Sequence, residues 1–282
     1  MMKIKEFLET IKYEHTIFAL PFAYLTLFLA ESGWPSLHNF VWVTLAMVSG
    51  RTIGMGANRL IDAEIDARNP RTAERALAAG RISKKQTLVF IIASLAMFLV
   101  SVYRLSPWSE KLWPIVIIVM ILYPYTKRLT SISHLALGLV YLMIPTGVWI
   151  AVTNTLTLPS FILAVSAAFW VAGFDVIYSC QDVEIDRKQG LHSIPADIGI
   201  QSGLWISRLF HLVFVAALLW AGVLLDVGAL YYIGVAITAL LIAYEHSLVA
   251  PSDLSRVNAA FFTTNGIISI VLFIFVAVDA LV

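Results

Sequence analysis

The sequence predicts an all-α polytopic membrane protein with nine transmembrane helices, on the basis of composition, apolar segment length and charge placement. Of the 282 residues, 60% are hydrophobic and only 13% are charged, and the mean hydropathy is +0.85. Soluble domains have roughly 45–50% apolar and about 25% charged residues. The chain therefore belongs in a lipid bilayer, and we expect no nucleic-acid partner.

Nine apolar segments approach or reach the length of about 17–25 residues that a helix needs to cross the hydrocarbon core. They cover residues 15–31, 39–58, 86–104, 112–126, 134–153, 158–180, 204–225, 228–249 and 257–279. Almost no room remains for a soluble domain, so residues 1–282 are expected to form a single transmembrane domain. The one cysteine, Cys180, lies in an apolar segment and excludes a disulfide framework.

The positions of the basic residues predict the orientation, because short cytoplasmic loops are enriched in Lys and Arg. All 19 except Arg51, Arg104 and Lys111 lie at the N-terminus or after the second, fourth, sixth and eighth apolar segments. We therefore expect a multi-pass protein of a prokaryotic-type inner membrane. Its N-terminus would be cytoplasmic and its C-terminus external.

The N-terminal residues predict one further, shorter helix. Ile4, Phe7, Leu8 and Ile11 recur at helical spacing. A short amphipathic helix of this kind is expected to lie on the cytoplasmic membrane interface.

Two cytoplasmic loops, 59–85 and 181–203, combine acidic and basic residues with unusual length, which is typical of functional loops. At the first, Asn58, Asp62 and Asp66 are spaced i, i+4, i+8 and share one helical face. Arg51 extends this stripe about two turns, or roughly 10 Å, into the membrane.

The second loop follows a similar stripe. Asp175, Tyr178, Asp182 and Asp186 are spaced so that all four share one helical face, with Asp175 at a depth similar to Arg51. The two segments share one arrangement, in which a polar helix face begins in the bilayer and continues into a charged loop.

Carboxylates on two facing helices suit Mg²⁺, which commonly binds through one or two carboxylates together with substrate phosphates. A diphosphate that bridges the two aspartate clusters would complete the coordination. The basic residues nearby would offset its charge and stabilise it as a leaving group. These residues are Arg71, Arg75, Lys127, Arg128 and Lys188.

Other interpretations stand beside this one. The acidic residues could form a solvated rim, the basic residues could only set the topology, and Arg51 and Asp175 could form a structural ion pair. The six histidines show no metal-ligand spacing and are interpreted as packing or interfacial residues. A secondary transporter could also carry such charges, although transport sites tend to lie near the membrane midplane.

Two runs of sequence resemble the signatures of the UbiA superfamily of intramembrane prenyltransferases. The run NRLIDAEIDARNPRTAER (58–75) is similar to the first, and DVIYSCQDVEIDRKQGLHS (175–193) to the second. YPYTKR (123–128) and LGLVYLMIPTGVWIAV (137–152) resemble other parts of the family. The resemblance implies nine helices around a central cavity, with cytoplasmic cap loops after helices 2 and 6. It also implies Mg²⁺ and a polyprenyl diphosphate donor.

The resemblance also implies roles for individual residues. Asp62, Asp66, Asp182 and Asp186 would bind the metal, and Asp175 and Tyr178 would lie beside the acceptor ring as catalytic residues. Arg51 would bind an acceptor carboxylate. The diphosphate-binding residues would be Asn58, Arg71, Lys127, Arg128 and Lys188.

We therefore expect Mg²⁺-dependent transfer of a polyprenyl group to an aromatic acid, with 4-hydroxybenzoate prenylated at position 3 for quinone biosynthesis. Two departures from the family pattern are Ala76, where many members have proline, and KYEHTIFALPFAY (12–24), which lacks the usual entry motif of ubiquinone-pathway members. A naphthoate acceptor of menaquinone biosynthesis is the alternative. Haem-precursor or glycerol-phosphate prenylation also remains open, although Arg51 favours an acceptor with a carboxylate.

Overall fold

The computed structural model describes residues 4–11 and 16–282, and the described chain is built from helices. Lys3, Lys12 and His15, which entered the sequence arguments above, lie outside these residues. The helices are α1 (Ile4–Thr10), α2 (Thr16–Glu31), α3 (Leu37–Arg68), α4 (Lys84–Val102), α5 (Pro107–Thr126), α6 (Ser133–Thr153), α7 (Leu158–Ser179), α8 (Val183–Gln189), α9 (Ile194–Ile198), α10 (Ile200–Leu225), α11 (Ala229–Ser247) and α12 (Asn265–Asp279). A 3₁₀ turn, Cys180–Asp182, joins α7 to α8, and a π-helical turn, Ala259–Thr264, leads into α12.

Seven helical segments of the described chain are long and apolar enough to cross a membrane. They are α3, α4, α6, α7 together with α8, α10, α11, and α12 together with its π-helical turn. The other two predicted spans correspond to α2, whose described apolar part is the shorter Ala19–Glu31, and to α5. The chain is thus a multi-pass, all-helical membrane protein.

The second predicted helix is longer than its apolar run. The apolar run was expected to end at residue 58 and to be followed by a loop, but α3 continues to Arg68, so that Asp62 and Asp66 lie on the helix, as their i, i+4 spacing predicted. The fall in hydropathy after residue 58 marks the end of the apolar segment, but a helix can continue through polar residues. The helix ends where Asn69, which precedes Pro70, adopts an extended conformation (φ −98°, ψ 116°), because proline disfavours helical geometry in the residue before it.

The second predicted loop, 181–203, is also largely helical, since it contains α8, α9 and the start of α10. Gly190 ends α8 at a φ of +66°, a left-handed conformation that glycine adopts without steric cost. Ser193 then caps α9 by accepting a hydrogen bond from the backbone N–H of Ala196. The turn between them brings residues 191–194 back toward the helix bundle.

Helix α7 lies at the centre of the bundle. Leu163, Trp170 and Val171 are fully buried there, and the Trp170 ring stacks on Phe22 of α2 with centroids 4.7 Å apart. The indole N–H of Trp170 donates to Asn265 Oδ1 on α12. A buried, tightly packed α7 holds the second polar stripe in a fixed position relative to α3.

Helix α1 packs against protein along its apolar face. Phe7 and Ile11 are buried among Ala76, Leu77 and Ile82, from the segment between α3 and α4. The expectation that this face rests on the membrane interface is therefore wrong for these two residues. Docking against protein buries the same apolar area that a bilayer would have covered.

Candidate active site

A cavity of about 620 Å³ opens between α3 and α7. Arginines dominate its polar lining, and Tyr123, Tyr141, Trp170, Phe174, Tyr178 and Phe261 contribute aromatic surface. The lining arginines are Arg51, Arg59, Arg71, Arg75 and Arg81. The cavity therefore combines a cationic wall with an aromatic one.

The aspartates of the first stripe lie behind basic side chains. Asp62 is only 2% exposed, and its carboxylate accepts from Lys127 Nζ at 2.6 Å and from Arg128 Nη2 at 3.1 Å. Asp66 accepts from Arg75 Nη1 at 2.7 Å and lies 3.7 Å from Arg59 Nη1. The interpretation of these residues as a solvated rim is wrong, because both carboxylates are buried.

Asp182 joins the two stripes. Its carboxylate accepts from Arg71 in a bidentate pair, with Nε at 3.0 Å, and from Asn69 Nδ2 at 3.0 Å. Arg71 also donates to the Tyr178 hydroxyl at 2.8 Å and lies over the Tyr178 ring. Burial by itself would lower the pKa of Arg71, but its contacts with Asp182 and Tyr178 outweigh burial and raise that pKa.

The cavity lining does not include three other residues that the sequence assigned to the diphosphate and metal sites, Asp186, Asn58 and Lys188. Asp186 on α8 accepts from Ser193 Oγ at 3.3 Å. Asn58 donates to the Tyr123 hydroxyl at 3.0 Å. Lys188 is exposed on α8. The structure therefore brings the two aspartate motifs together through Asn69 and Arg71.

Arg51 and Asp175 lie deeper along the two stripes. Arg51 lines the cavity and donates to the backbone carbonyl of Ile11, just beyond α1, at 3.1 Å. Asp175 is half-buried and is not itself among the lining residues. Its Oδ2 lies 2.7 Å from Nδ1 of His134, a histidine that the sequence interpretation assigned to packing.

The donor set fits Mg²⁺ only in combination with a substrate. Carboxylate and amide oxygens are the ligand type that Mg²⁺ prefers. Among residues 4–11 and 16–282, however, no three His, Cys, Asp or Glu side chains are grouped so that they could hold a metal ion. A metal bound here would need further oxygen ligands, which phosphate groups and water supply.

A second cavity, of about 390 Å³, lies between α3, α4, α5 and α6 and is lined almost entirely by apolar side chains. It shares Arg51, Met120, Val140 and Tyr141 with the first cavity. Gly147 on α6 also lines it, and a side chain added at this glycine would meet open space. The two cavities thus adjoin near Arg51.

The sequence interpretation missed several residues of the candidate site. Asn69 stands inside the first signature, directly before Pro70, and could have been noticed there. Arg59 and Tyr123 line the cavity from positions that helical spacing did not single out. His134 gave no signal, because helix packing alone decides which face of α6 meets Asp175.

The fold and site together define a class: multi-pass membrane proteins with a cavity that has a cationic and an aromatic wall and adjoins a second, apolar cavity. Within that class, the chain belongs to the UbiA prenyltransferase family, whose model matches residues 19–267. It is a prenyl-transferring enzyme of the membrane, and the transporter alternative is wrong.

Named relatives and solved structures agree with this assignment. The chain is 31% identical to the 4-hydroxybenzoate octaprenyltransferase of Vibrio cholerae serotype O1 over 243 residues, covering 85% of this chain and 84% of the relative. A UbiA homolog from Aeropyrum pernix K1 is 33% identical, with a TM-score of 0.86 and coverage of 95% and 98%.

A UbiA homolog from Archaeoglobus fulgidus, solved with GPP and Mg²⁺, has a TM-score of 0.77 and covers 98% of this chain and 99% of that one. At 16% identity, it shows the shared fold.

Proposed function

We propose that this enzyme transfers a polyprenyl group from a polyprenyl diphosphate to a carboxylated aromatic acceptor, with 4-hydroxybenzoate as the substrate. One observation carries the proposal: two aspartate motifs meet around a row of arginines at the wall of one cavity. Arginines that are paired with aspartates suit a diphosphate, because each guanidinium is held in place and offers paired hydrogen-bond donors to phosphate oxygens.

The diphosphate would bind where Arg71, Arg75, Lys127 and Arg128 meet the aspartates. As the allylic C–O bond breaks, negative charge grows on the departing diphosphate, and donors fixed in advance stabilise this charge without having to reorganise. The aspartates hold these basic side chains in that arrangement. Asn58 would contribute at the inner edge of the same site.

Asp62, Asp66, Asp182 and Asp186 are the residues that would hold Mg²⁺ together with the diphosphate. When bound, the metal supplies Lewis-acid stabilisation of the leaving group. The carboxylates of Asp62 and Asp182 now contact basic side chains, so the arrangement requires Lys127 and Arg71 to turn toward phosphate oxygens. The use of a divalent metal is supported by the UbiA homolog from Archaeoglobus fulgidus, which was solved with GPP and Mg²⁺.

The acceptor would bind near the point where the cavities adjoin. Arg51 would hold its carboxylate and so fix which ring carbon meets the prenyl group. Asp175 would accept a hydrogen bond from the phenol and raise the nucleophilicity of the ring, with Tyr178 beside it. The apolar second cavity would receive the isoprenoid chain and keep water from the allylic cation.

The named relatives support 4-hydroxybenzoate as the acceptor. A naphthoate acceptor is the second candidate, because Arg51 would bind either carboxylate and the cavity is large enough for two fused rings. We further propose a single catalytic domain over residues 1–282, with nine spans, a cytoplasmic N-terminus and an external C-terminus.

The test is an assay of the purified enzyme with Mg²⁺ and geranyl diphosphate against 4-hydroxybenzoate, a dihydroxynaphthoate and homogentisate, with products identified by mass. We expect the 3-geranylated product of 4-hydroxybenzoate, and none after EDTA treatment until Mg²⁺ is restored. A product from the naphthoate alone would support the second candidate. Full activity in EDTA would remove Mg²⁺ from the proposal.

A further inference from the structure

The side chain of His134 on α6 is buried and hydrogen-bonded at both ring nitrogens. The backbone N–H of Ile194 donates to Nε2 at 3.3 Å, and Nδ1 lies 2.7 Å from Oδ2 of Asp175. A backbone N–H can only donate, so Nε2 is the acceptor and the ring proton lies on Nδ1. His134 therefore donates to Asp175 with a defined tautomer.

The backbone N–H of Ile194, which fixes this tautomer, belongs to a segment that also contacts residues of the proposed diphosphate site. In residues 192–194, the His192 N–H donates to the carbonyl of Lys127 at 2.7 Å, and Ser193 Oγ donates to Asp186. Lys127 in turn holds Asp62. One short segment thus contacts Asp186 of the second motif, reaches Asp62 of the first through Lys127, and also orients His134.

Asp175 offers one oxygen to His134 and remains partly exposed. Its side chain is 27% exposed, whereas that of His134 is only 4% exposed. The hydrogen bond to Oδ2 restricts rotation of the carboxylate and leaves Oδ1 as the oxygen available to a ligand. Rotation about the terminal torsion of an aspartate is otherwise soft, so such a restraint decides where the free oxygen points.

We propose that His134 is a positioning residue for prenyl transfer: it holds Asp175 in the orientation that accepts the acceptor's hydroxyl hydrogen bond. The inference rests on the proposed function and extends it, because it adds a residue that does not touch the reacting atoms. It also ties activation of the acceptor to the segment that contacts Asp186 and the backbone of Lys127.

Two near-isosteric substitutions separate the two hydrogen bonds of His134. In His134→Asn, the amide nitrogen takes the place of Nδ1 and can still donate to Asp175. In His134→Gln, the amide oxygen takes the place of Nε2 and still accepts from Ile194, but the donor to Asp175 is lost. The comparison holds size and polarity nearly constant.

We expect His134→Gln to lower kcat for the acceptor reaction about tenfold, the loss typical of one hydrogen bond to a charged group. His134→Asn should recover most of that loss. The KM for geranyl diphosphate, and the slow release of geraniol without acceptor, should stay within about twofold of wild type. In an Asp175→Asn background, His134→Gln should add no further loss, because the two residues act as a unit.

A purely structural role predicts a different pattern, in which both variants lower the melting temperature and change donor and acceptor kinetics alike. That pattern, or an Asn variant no better than Gln, would overturn the positioning role. If wild-type enzyme releases geraniol but prenylates no aromatic acid, the proposed function fails and this inference fails with it. Normal transfer in wild type with unaltered kcat in His134→Gln rejects the inference alone.

Discussion

At the scale of single residues, the carboxylates of Asp62, Asp66 and Asp182 are held by basic partners inside the protein rather than by water. Asp62 accepts from Lys127 and Arg128 while only 2% exposed, and Asp182 accepts from Arg71 and Asn69. Removing one charge from such a pair leaves its partner uncompensated, which is costly in a buried setting. Stability and activity must therefore be measured together in any variant.

Asp62→Asn and Asp182→Asn are each expected to lower kcat/KM by at least 10- to 100-fold, since each removes a charge-assisted interaction of about 1.5–3 kcal/mol. Unfolding temperatures should fall only modestly, because Lys127 and Arg71 are each 31% exposed, so water can solvate the charge left behind, and because asparagine keeps one acceptor oxygen. Glu184→Gln is the matched control, since Glu184 is exposed on α8 and off the stripe. If Asp182→Asn turns over substrate as fast as Glu184→Gln, the second aspartate motif has no catalytic role.

Arg51→Leu tests recognition of the acceptor. We expect the KM for 4-hydroxybenzoate to rise roughly ten- to a hundredfold, because a hydrogen bond to a carboxylate is lost, while the KM for geranyl diphosphate stays near wild type. Arg51→Lys keeps the charge and should lose less. The substitution also removes the contact with Ile11, so thermal unfolding serves as the control for folding. An unchanged acceptor KM in folded Arg51→Leu would reopen acceptors without a carboxylate.

At the scale of elements, α3 and α7 each combine a membrane-spanning part with a polar extension beyond it. Helix α3 runs on to Arg68, and α7 passes through a 3₁₀ turn into α8. The extensions carry the aspartates, and the membrane parts carry Arg51 and Asp175. In α3, a single helix thus fixes the distance between the proposed diphosphate site and the proposed acceptor site, because its rise of about 1.5 Å per residue is set by backbone geometry.

Helix α6 offers a test of the second cavity. A Cβ added at Gly147 meets no atom within 4 Å, so we expect Gly147→Phe to extend a ring from the wall of this cavity. With a long polyprenyl diphosphate, activity should fall about tenfold or more, since overlap with bound carbons excludes part of the chain. Dimethylallyl diphosphate should still react. Both donors are compared by initial rate.

The control is Leu139→Phe, which adds a ring to the exposed side of the same helix, where Leu139 is 45% exposed. It should affect neither donor. Equal loss with long and short donors in Gly147→Phe would show that the cavity does not hold the distal isoprenoid units.

At the scale of the whole molecule, the orientation in the membrane can be tested with single cysteines, because the native Cys180 is only 2% exposed. Ser252→Cys lies in the exposed segment between α11 and the π-helical turn, and Val282→Cys lies at the fully exposed C-terminus. A membrane-impermeant maleimide should label Val282→Cys in intact cells and Ser252→Cys only after permeabilisation. The reverse pattern would invert the proposed topology.

The sequence by itself determined the membrane environment, the helical class, the order of the two aspartate motifs and their placement at one end of two helices. Composition and apolar length decide the first two, because a bilayer admits only segments that satisfy their own backbone hydrogen bonds. Helical periodicity decides the last, since residues spaced i, i+4 must share a face.

Only the tertiary structure decided which side chains meet. Asp182 lies beside Asn69 and Arg71, more than 100 positions away in the chain, and Asp175 lies beside His134. The extent of α3 and the docking of α1 were likewise misjudged from hydropathy. Periodicity fixes the face of a helix but not the neighbour that this face contacts, because packing between helices sets their relative rotation and depth.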